Sequence, residues 1–253
     1  MRIKNATSWK LTGASALALG LVVGAGQSAE AATISFQEGV SPTGAYAHDA
    51  VMIRSNQAGT NQNGAGAMFI GLAEVGNEIL RGLLEFDVSA IPAADQIDSV
   101  TLDLTTLSSS AGINNVGGAG ALTTFNIYTH AFDIDETTAT WNVPGGGAPA
   151  GGTLGTFLTS ASFDVEQKGQ THTFGDTAAF RTAVADALAG DGILRLIIAN
   201  NDESNLGTHD FARFEDDTAG SVAPKLTITH SVPEPGSLAL MGLGGLLIAV
   251  RRR

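Results

Sequence analysis

The chain has 253 residues, no cysteine, 32 glycines and a formal net charge of −12, from 13 basic and 25 acidic residues. Lack of cysteine excludes a disulfide framework, a thiolate metal site and thiol redox chemistry. Surplus negative charge repels nucleic acid and anionic membrane, so no nucleic-acid partner is expected.

Taken from the N-terminus, Arg2, Lys4 and Lys10 form a basic region ahead of an apolar stretch at 14–26, and Ala29-Glu30-Ala31 supplies a small-x-small pattern. This is the layout of a secretory signal peptide. Residues 1–32 are therefore expected to form a helical export signal, with Ala29, Ala31 and Ala32 marking cleavage by signal peptidase after Ala31 or Ala32. With residues 1–32 and 232–253 set aside, 7 basic and 23 acidic residues remain, a net charge of −16. The 199 residues at 33–231 suit one domain able to bury a core without staples.

Within that domain the hydrophobic period is two. Val100, Leu102 and Leu104 alternate with polar neighbours, as do Phe125 and Ile127, and Leu226 and Ile228. Each pattern predicts a strand with one buried and one solvated face. Apolar or β-branched runs at 33–36, 50–53, 67–72, 79–86, 154–158 and 193–199 predict further strands. Turn-forming clusters at 61–64, 117–120 and 144–147 separate them. Many short strands with Gly-rich turns indicate an all-β, jelly-roll-like sandwich. One segment departs from this rhythm. Phe180, Val184 and Leu188 recur at helical spacing, with Asp176 placed to cap the start and Gly190 to follow the end, so one short helix is expected.

At the C-terminus, Pro233-Glu234-Pro235 precedes an apolar run at 238–250 and then Arg251, Arg252 and Arg253. The prolines break the tail from the domain. The apolar run is short beside the roughly 20 residues of a comfortable span. Extended by Gly236, Ser237 and snorkelling arginines it reaches across as a helix, with the arginines held on the cytoplasmic side. The tail resembles the PEP-CTERM sorting signal. That resemblance implies a Gram-negative producer, transient anchoring in the inner membrane and processing by an exosortase near the Pro-Glu-Pro. Delivery to the cell surface or extracellular matrix follows. A plain C-terminal anchor is the alternative.

A second resemblance spans the domain. His48-Asp49-Ala50-Val51, Phe69-Ile70-Gly71, the run Arg81 to Pro92 (RGLLEFDVSAIP), Glu136 to Asn142 (ETTATWN) and Phe211 to Glu215 followed by Pro224 to Thr229 (PKLTIT) stand in that order. Together they are similar to the DNRLRE-type domain, which overlaps the family 96 carbohydrate-binding modules. This implies a β-sandwich that handles extracellular polysaccharide. Val100 replaces the small residue usual there, and Arg213-Phe214 stands where small polar residues are usual before the acid.

Candidate site residues follow from chemistry. Asp49, Asp87, Asp133, Asp135, Glu136 and Glu215 offer hard oxygen ligands of the kind calcium takes from loops, six to eight at a time. None forms an EF-hand, and the same residues also read as solvated acidic loops. Asp87 or Ser89 is placed to accept backbone N–H groups in a turn closed by Pro92. Trp141, expected on a loop entering a strand, is either a buried anchor or a ring for stacking on sugar, with Tyr128 beside it as a second ligand-binding candidate. No Gly-x-Ser-x-Gly, His-Glu-x-x-His or P-loop occurs. The expected function is a non-catalytic exported protein of the surface or exopolysaccharide matrix. The alternatives are a calcium-assisted carbohydrate-binding module and a glycan hydrolase or lyase.

Overall fold

The computed structural model describes residues 31–232 apart from 75, 76, 118 and 119. Residues 1–30 of the expected signal peptide, Ala29 among them, and 233–253 of the expected sorting tail lie outside the described residues. Twelve strands in chain order, β1 (Ala31–Gln37), β2 (Asp49–Arg54), β3 (Met68–Ala73), β4 (Glu78–Asp87), β5 (Gln96–Thr105), β6 (Ile113–Asn114), β7 (Thr123–Thr129), β8 (Phe157–Phe163), β9 (Thr171–Phe174), β10 (Ile193–Asn200), β11 (Asp210–Phe214) and β12 (Lys225–Ser231), form two antiparallel sheets. One has the order β1-β12-β5-β9. The other runs β6-β11-β3-β4-β10-β7-β8, and β2 also pairs with β4. The fold is an all-β sandwich with one short helix.

Alternation decides the layers. In β5 and β12, Val100, Leu102, Leu104, Leu226 and Ile228 point inward and are fully buried. They meet Leu84, Phe86, Phe125, Ile127, Leu196 and Ile198 of the larger sheet in one core. The outward positions of the smaller sheet are hydroxyl-rich. Thr33 and Thr229 bond at 3.0 Å, Ser35 and Thr227 at 3.2 Å, and Thr105 and Thr171 at 3.0 Å, all cross-strand pairs typical of a solvated antiparallel face. A smaller second core lies on the outer side of the larger sheet. There Val51, Ile53, Leu83 and Ile197 are covered by Phe132, Ile134 and Ala139 of the long loop at 130–156.

The helix α1 (Ala178–Ala189) buries Phe180, Val184 and Leu188, as the spacing predicts. Its cap differs from expectation. Thr177, in extended conformation, accepts the Phe180 N–H at 3.0 Å. Asp176 instead accepts the backbone N–H of Val100 at 3.0 Å, tying the helix start to β5. A strand neighbour with an unpaired N–H outcompeted the local cap. Gly190 ends the helix at φ −98°, donating to Ala187 and Asp186 carbonyls. The strand expected at 154–158 is displaced to β8, because Gly155 and Thr156 still pair with Thr129 as a turn (Gly155 N to Thr129 O, 2.9 Å).

Chain ends of the domain meet. Ala31 stands opposite Ser231 and Ala32 opposite His230, so β1 begins two residues ahead of the expected start at Thr33. Cleavage after Ala31 or Ala32 removes only the outermost rungs of this ladder.

Gly71 shows why one β3 position excludes a side chain. Its φ is +131°, and a Cβ there would sit 2.2 Å from the Asp210 carbonyl oxygen. Gly71→Ala is expected to cost about 2–4 kcal/mol by strain and displacement of β11. A urea melt checks this; an unchanged midpoint would contradict the β3–β11 approach.

Candidate functional site

Three neighbouring strands bring charged groups abreast on the outer face of the larger sheet. Asp49 of β2 pairs with Glu85 of β4, and Glu85 with Arg195 of β10. Alternation puts them on the same side as Val51, Leu83 and Ile197, at the margin of the second core. The loop at 130–156 closes over them. Ile134 N–H donates to Glu85 Oε1 at 2.7 Å. Arg195 Nε lies 3.4 Å from Glu85 Oε1, and its Nη2 reaches Asp191 at 2.7 Å and also Asp133. Burial pushes the Glu85 carboxyl up to about 7, assisted by Asp49 and Asp133 and opposed by the Ile134 N–H and Arg195. A half-protonated acid at neutral pH matches what a general acid requires. Here it is committed to a backbone N–H and beside an arginine.

Two depressions flank this row. A groove of about 230 Å³ is lined by His48, Asp49, Glu85 and Asp87. His48 is 7 % exposed and stacks on Phe86 at 4.7 Å; burial lowers it to about 4. It is neutral at pH 7, so its 3.7 Å approach to Glu38 is not an ion pair. On the other flank, a cleft of about 400 Å³ opens between α1 and the adjoining ends of β7, β8 and β10.

The expected metal residues divide into separate neighbourhoods. Asp49, Asp135 and Glu136 share one electrostatic environment with Glu38. Burial, then the Glu136, Asp135 and Glu38 charges, raise the Asp49 carboxyl. Asp217, on a 3-10 turn at 217–222, joins this group. It is 7 % exposed, and burial, a hydrogen bond with Glu136 and the charges of Glu136, Asp216 and Glu38 push it up to about 8. Glu136 Oε2 is buried, and Asn63 donates to Oε1 at 3.3 Å.

The other three stand elsewhere. Asp87 accepts Ser89 N–H at 2.9 Å in the expected turn. Asp133 is bound to Arg195. Glu215 accepts the Ser108 N–H at 3.4 Å, so the chain turns between it and Asp217. Asp135 is exposed and holds the N–H and hydroxyl of Thr137, which lower its carboxyl. Among the described residues, no three His, Asp or Glu side chains are already gathered at metal-binding distance.

Trp141 is half-buried at the edge of the second core, and no strand follows it; the loop continues to β8. The Arg81 guanidinium lies 5.4 Å from the ring centroid, and Gly151 packs so closely that a Cβ there would come within 2.7 Å of the indole. Tyr128 accepts a hydrogen bond from Asn126 at 3.0 Å and meets Phe157 edge-on at 5.7 Å. Sequence reasoning missed Glu85 and Arg195, and it grouped Asp217 with Glu215 in one acidic cluster without separating them. Arg81-to-Pro92 contained Glu85, yet only the register with β2 and β10 reveals its neighbours.

Fold and site together define an antiparallel sandwich with one acid-rich, loop-covered face. Residues 231–253 match the PEP-CTERM protein-sorting motif. This indicates an exosortase-sorted extracellular protein whose C-terminus is held transiently in the membrane. No curated protein matches the chain. Among the described residues no helix is long and apolar enough to cross a membrane; the apolar run at 238–250 lies outside them.

Proposed function

We propose that the protein is a non-catalytic component of the cell surface or exopolysaccharide matrix of a Gram-negative bacterium. Signal peptidase and exosortase act at its two ends, and residues 33–231 form a DNRLRE-type domain. The observation that carries this reading is the sorting motif at 231–253 beginning where β12 ends. Because β1 and β12 pair, both removable segments leave the fold at neighbouring points. Replacing Pro233, Glu234 and Pro235 by alanine is expected to trap the protein in the inner-membrane fraction of the producer. Undiminished recovery from the surface polysaccharide would sink the routing. The purified protein is expected to leave the size distribution of that polysaccharide unchanged; chain shortening lost in Glu85→Gln would establish a glycan hydrolase or lyase instead.

A second reading, calcium-assisted carbohydrate binding, draws support from the buried acids. Glu38, Asp49, Glu136 and Asp217 are oxygen donors that raise one another's carboxyls through like charge. A divalent cation held by them would offset their repulsion. Trp141 and Tyr128, at the same outer face, are the rings available to sugar.

A further inference from the structure

The outer edge of β1 is unguarded. β1 ends the order β1-β12-β5-β9, so β12 occupies one of its two edges. At its far end the chain folds back, and Gln37 exchanges both backbone bonds with Ser41, at 2.8 and 3.0 Å. Gln37 therefore points its N–H and C=O away from β12. These groups alternate between the two edges residue by residue in an antiparallel ladder. Those of Ser35 and Thr33 thus face the same open side, while Phe36, Ile34 and Ala32 bond β12. Among the described residues no strand pairs with β1 there.

Sheet edges are ordinarily protected by shortness, charge, proline or a covering element. The other margins fit that rule. β6 has two residues and β9 four. β2 is bounded by Asp49 and Arg54. β8 is met by the start of α1, where the Thr177 hydroxyl donates to the Leu158 carbonyl at 2.6 Å. β1 (AATISFQ) has seven residues, with neither charge nor proline. In a domain with 7 basic and 23 acidic residues it forms a neutral margin. Asp103 and Asp95, which contact β12, are engaged by Lys225 at 2.8 Å and His230 at 2.7 Å.

Two copies of so acidic a chain repel over most of their surface, and at β1 they meet without opposing carboxylates. The strand is also complementary to itself. Turned antiparallel about a two-fold axis at Ile34, Thr33 of each copy stands opposite Ser35 of the other, and both pairs exchange the backbone bonds that face outward. Their hydroxyls prolong the rows in which Thr33 already bonds Thr229 at 3.0 Å and Ser35 bonds Thr227 at 3.2 Å. On the inner side Ile34, half-buried against the main core, meets its own counterpart and loses more of its exposure. We infer that the domain pairs with a second copy of itself through β1, joining the two smaller sheets into one continuous sheet. The contact is short, so the dimer is weak and its population rises with concentration.

The test uses residues 31–232, which contain both sheets and both cores entire. Sedimentation over a rising concentration series is expected to show a reversible monomer–dimer equilibrium, strengthened by salt as the repulsion is screened. Thr33→Pro and Ser35→Pro each remove an N–H that points to the open edge and leave the β12 ladder intact. Each should weaken dimerisation at least tenfold with the melting temperature little changed. Crosslinking gives a reading that does not depend on those variants folding. The chain has no cysteine, so Ile34→Cys can bridge only to another copy. The roughly 4.5 Å between opposed Cα atoms in a non-hydrogen-bonded pair suits a disulfide. Oxidised Ile34→Cys is expected to bridge at least tenfold faster than Thr171→Cys on β9, at the opposite end of the sheet. An Ile34→Cys bridge forming no faster than that of Thr171→Cys, or a dimer unchanged in the folded proline variants, would overturn the inference.

Discussion

Arg54→Ala is expected to lower the melting temperature of the domain by roughly 6–20 °C. Glu78 is 1 % exposed, and Arg54 grips it with two bonds, Nε to Oε1 at 2.6 Å and Nη2 to Oε2 at 2.8 Å. Removing one partner of a buried pair leaves the other charged and desolvated, which costs about 3–5 kcal/mol. For a domain of this size each kcal/mol shifts the midpoint by about 2–4 °C. The arginine is thus retained because its partner is buried, rather than because the pair adds large net stability. Replacing both residues, as in Arg54→Met with Glu78→Leu, is expected to recover most of the loss. A double variant as unstable as Arg54→Ala alone would show that packing of the arginine stem, not the orphaned carboxylate, accounts for the effect.

The second large effect depends on pH. The Asp217 carboxyl lies at about 8 in the fold against an ordinary value of 3.8, so between these values the folded state holds a proton that the unfolded chain has released. Stability then falls as pH rises from about 4 toward 8, because the native state binds more protons over that window. Asp217→Asn removes the ionisation while keeping the shape. At pH 8.5 it is expected to raise the melting temperature by several degrees, on the order of 1–3 kcal/mol after allowance for solvent around the cluster. At pH 4, where the native carboxyl is protonated, it should have little effect. Calcium supplies the complementary measurement. At pH 8 it is expected to raise the wild-type midpoint relative to EDTA, and Asp217→Asn should be much less responsive. A gain from Asp217→Asn equal at pH 4 and 8.5 would be incompatible with a buried acid beside Glu136. A melt indifferent to calcium in both proteins would remove the metal and leave a proton shared by Glu136 and Asp217.

The strands carrying alternation were readable because their periodicity is a one-dimensional record of burial. Val100, Leu102 and Leu104 in β5, and Leu226 and Ile228 in β12, fall on the core face as their spacing implies. The weaker elements were not. β6 has two residues, and β9 (THTF) carries one fully buried apolar side chain, Phe174, with His172 stacked on Phe163 at 3.7 Å. Their pairing comes from neighbours rather than from a hydrophobic pattern of their own. At α1 the helical period was legible, but the cap moved to Thr177 because Asp176 found the Val100 N–H.

The candidate sites divide along the same line. Asp49 and Glu136 were recognisable as acids, and the turn at Asp87 and Ser89 as local chemistry. Local sequence contained nothing to separate Glu215 from Asp217, two positions apart. The chain turns into a 3-10 segment there, sending Asp217 toward Glu136 while Glu215 stays with Ser108. Likewise His130 was one histidine among five. Only the folded chain shows it buried and stacked on Phe132.

Export, sorting by the terminal motif, the absence of thiol chemistry and the all-β class were legible in the sequence. These depend on composition, order along the chain and short-range period. Which carboxylates face one another and which histidines are buried became visible in the folded chain alone. Those properties arise from register between strands far apart in sequence, and a register shift of one residue would turn Asp49, Glu85 and Arg195 to the opposite face.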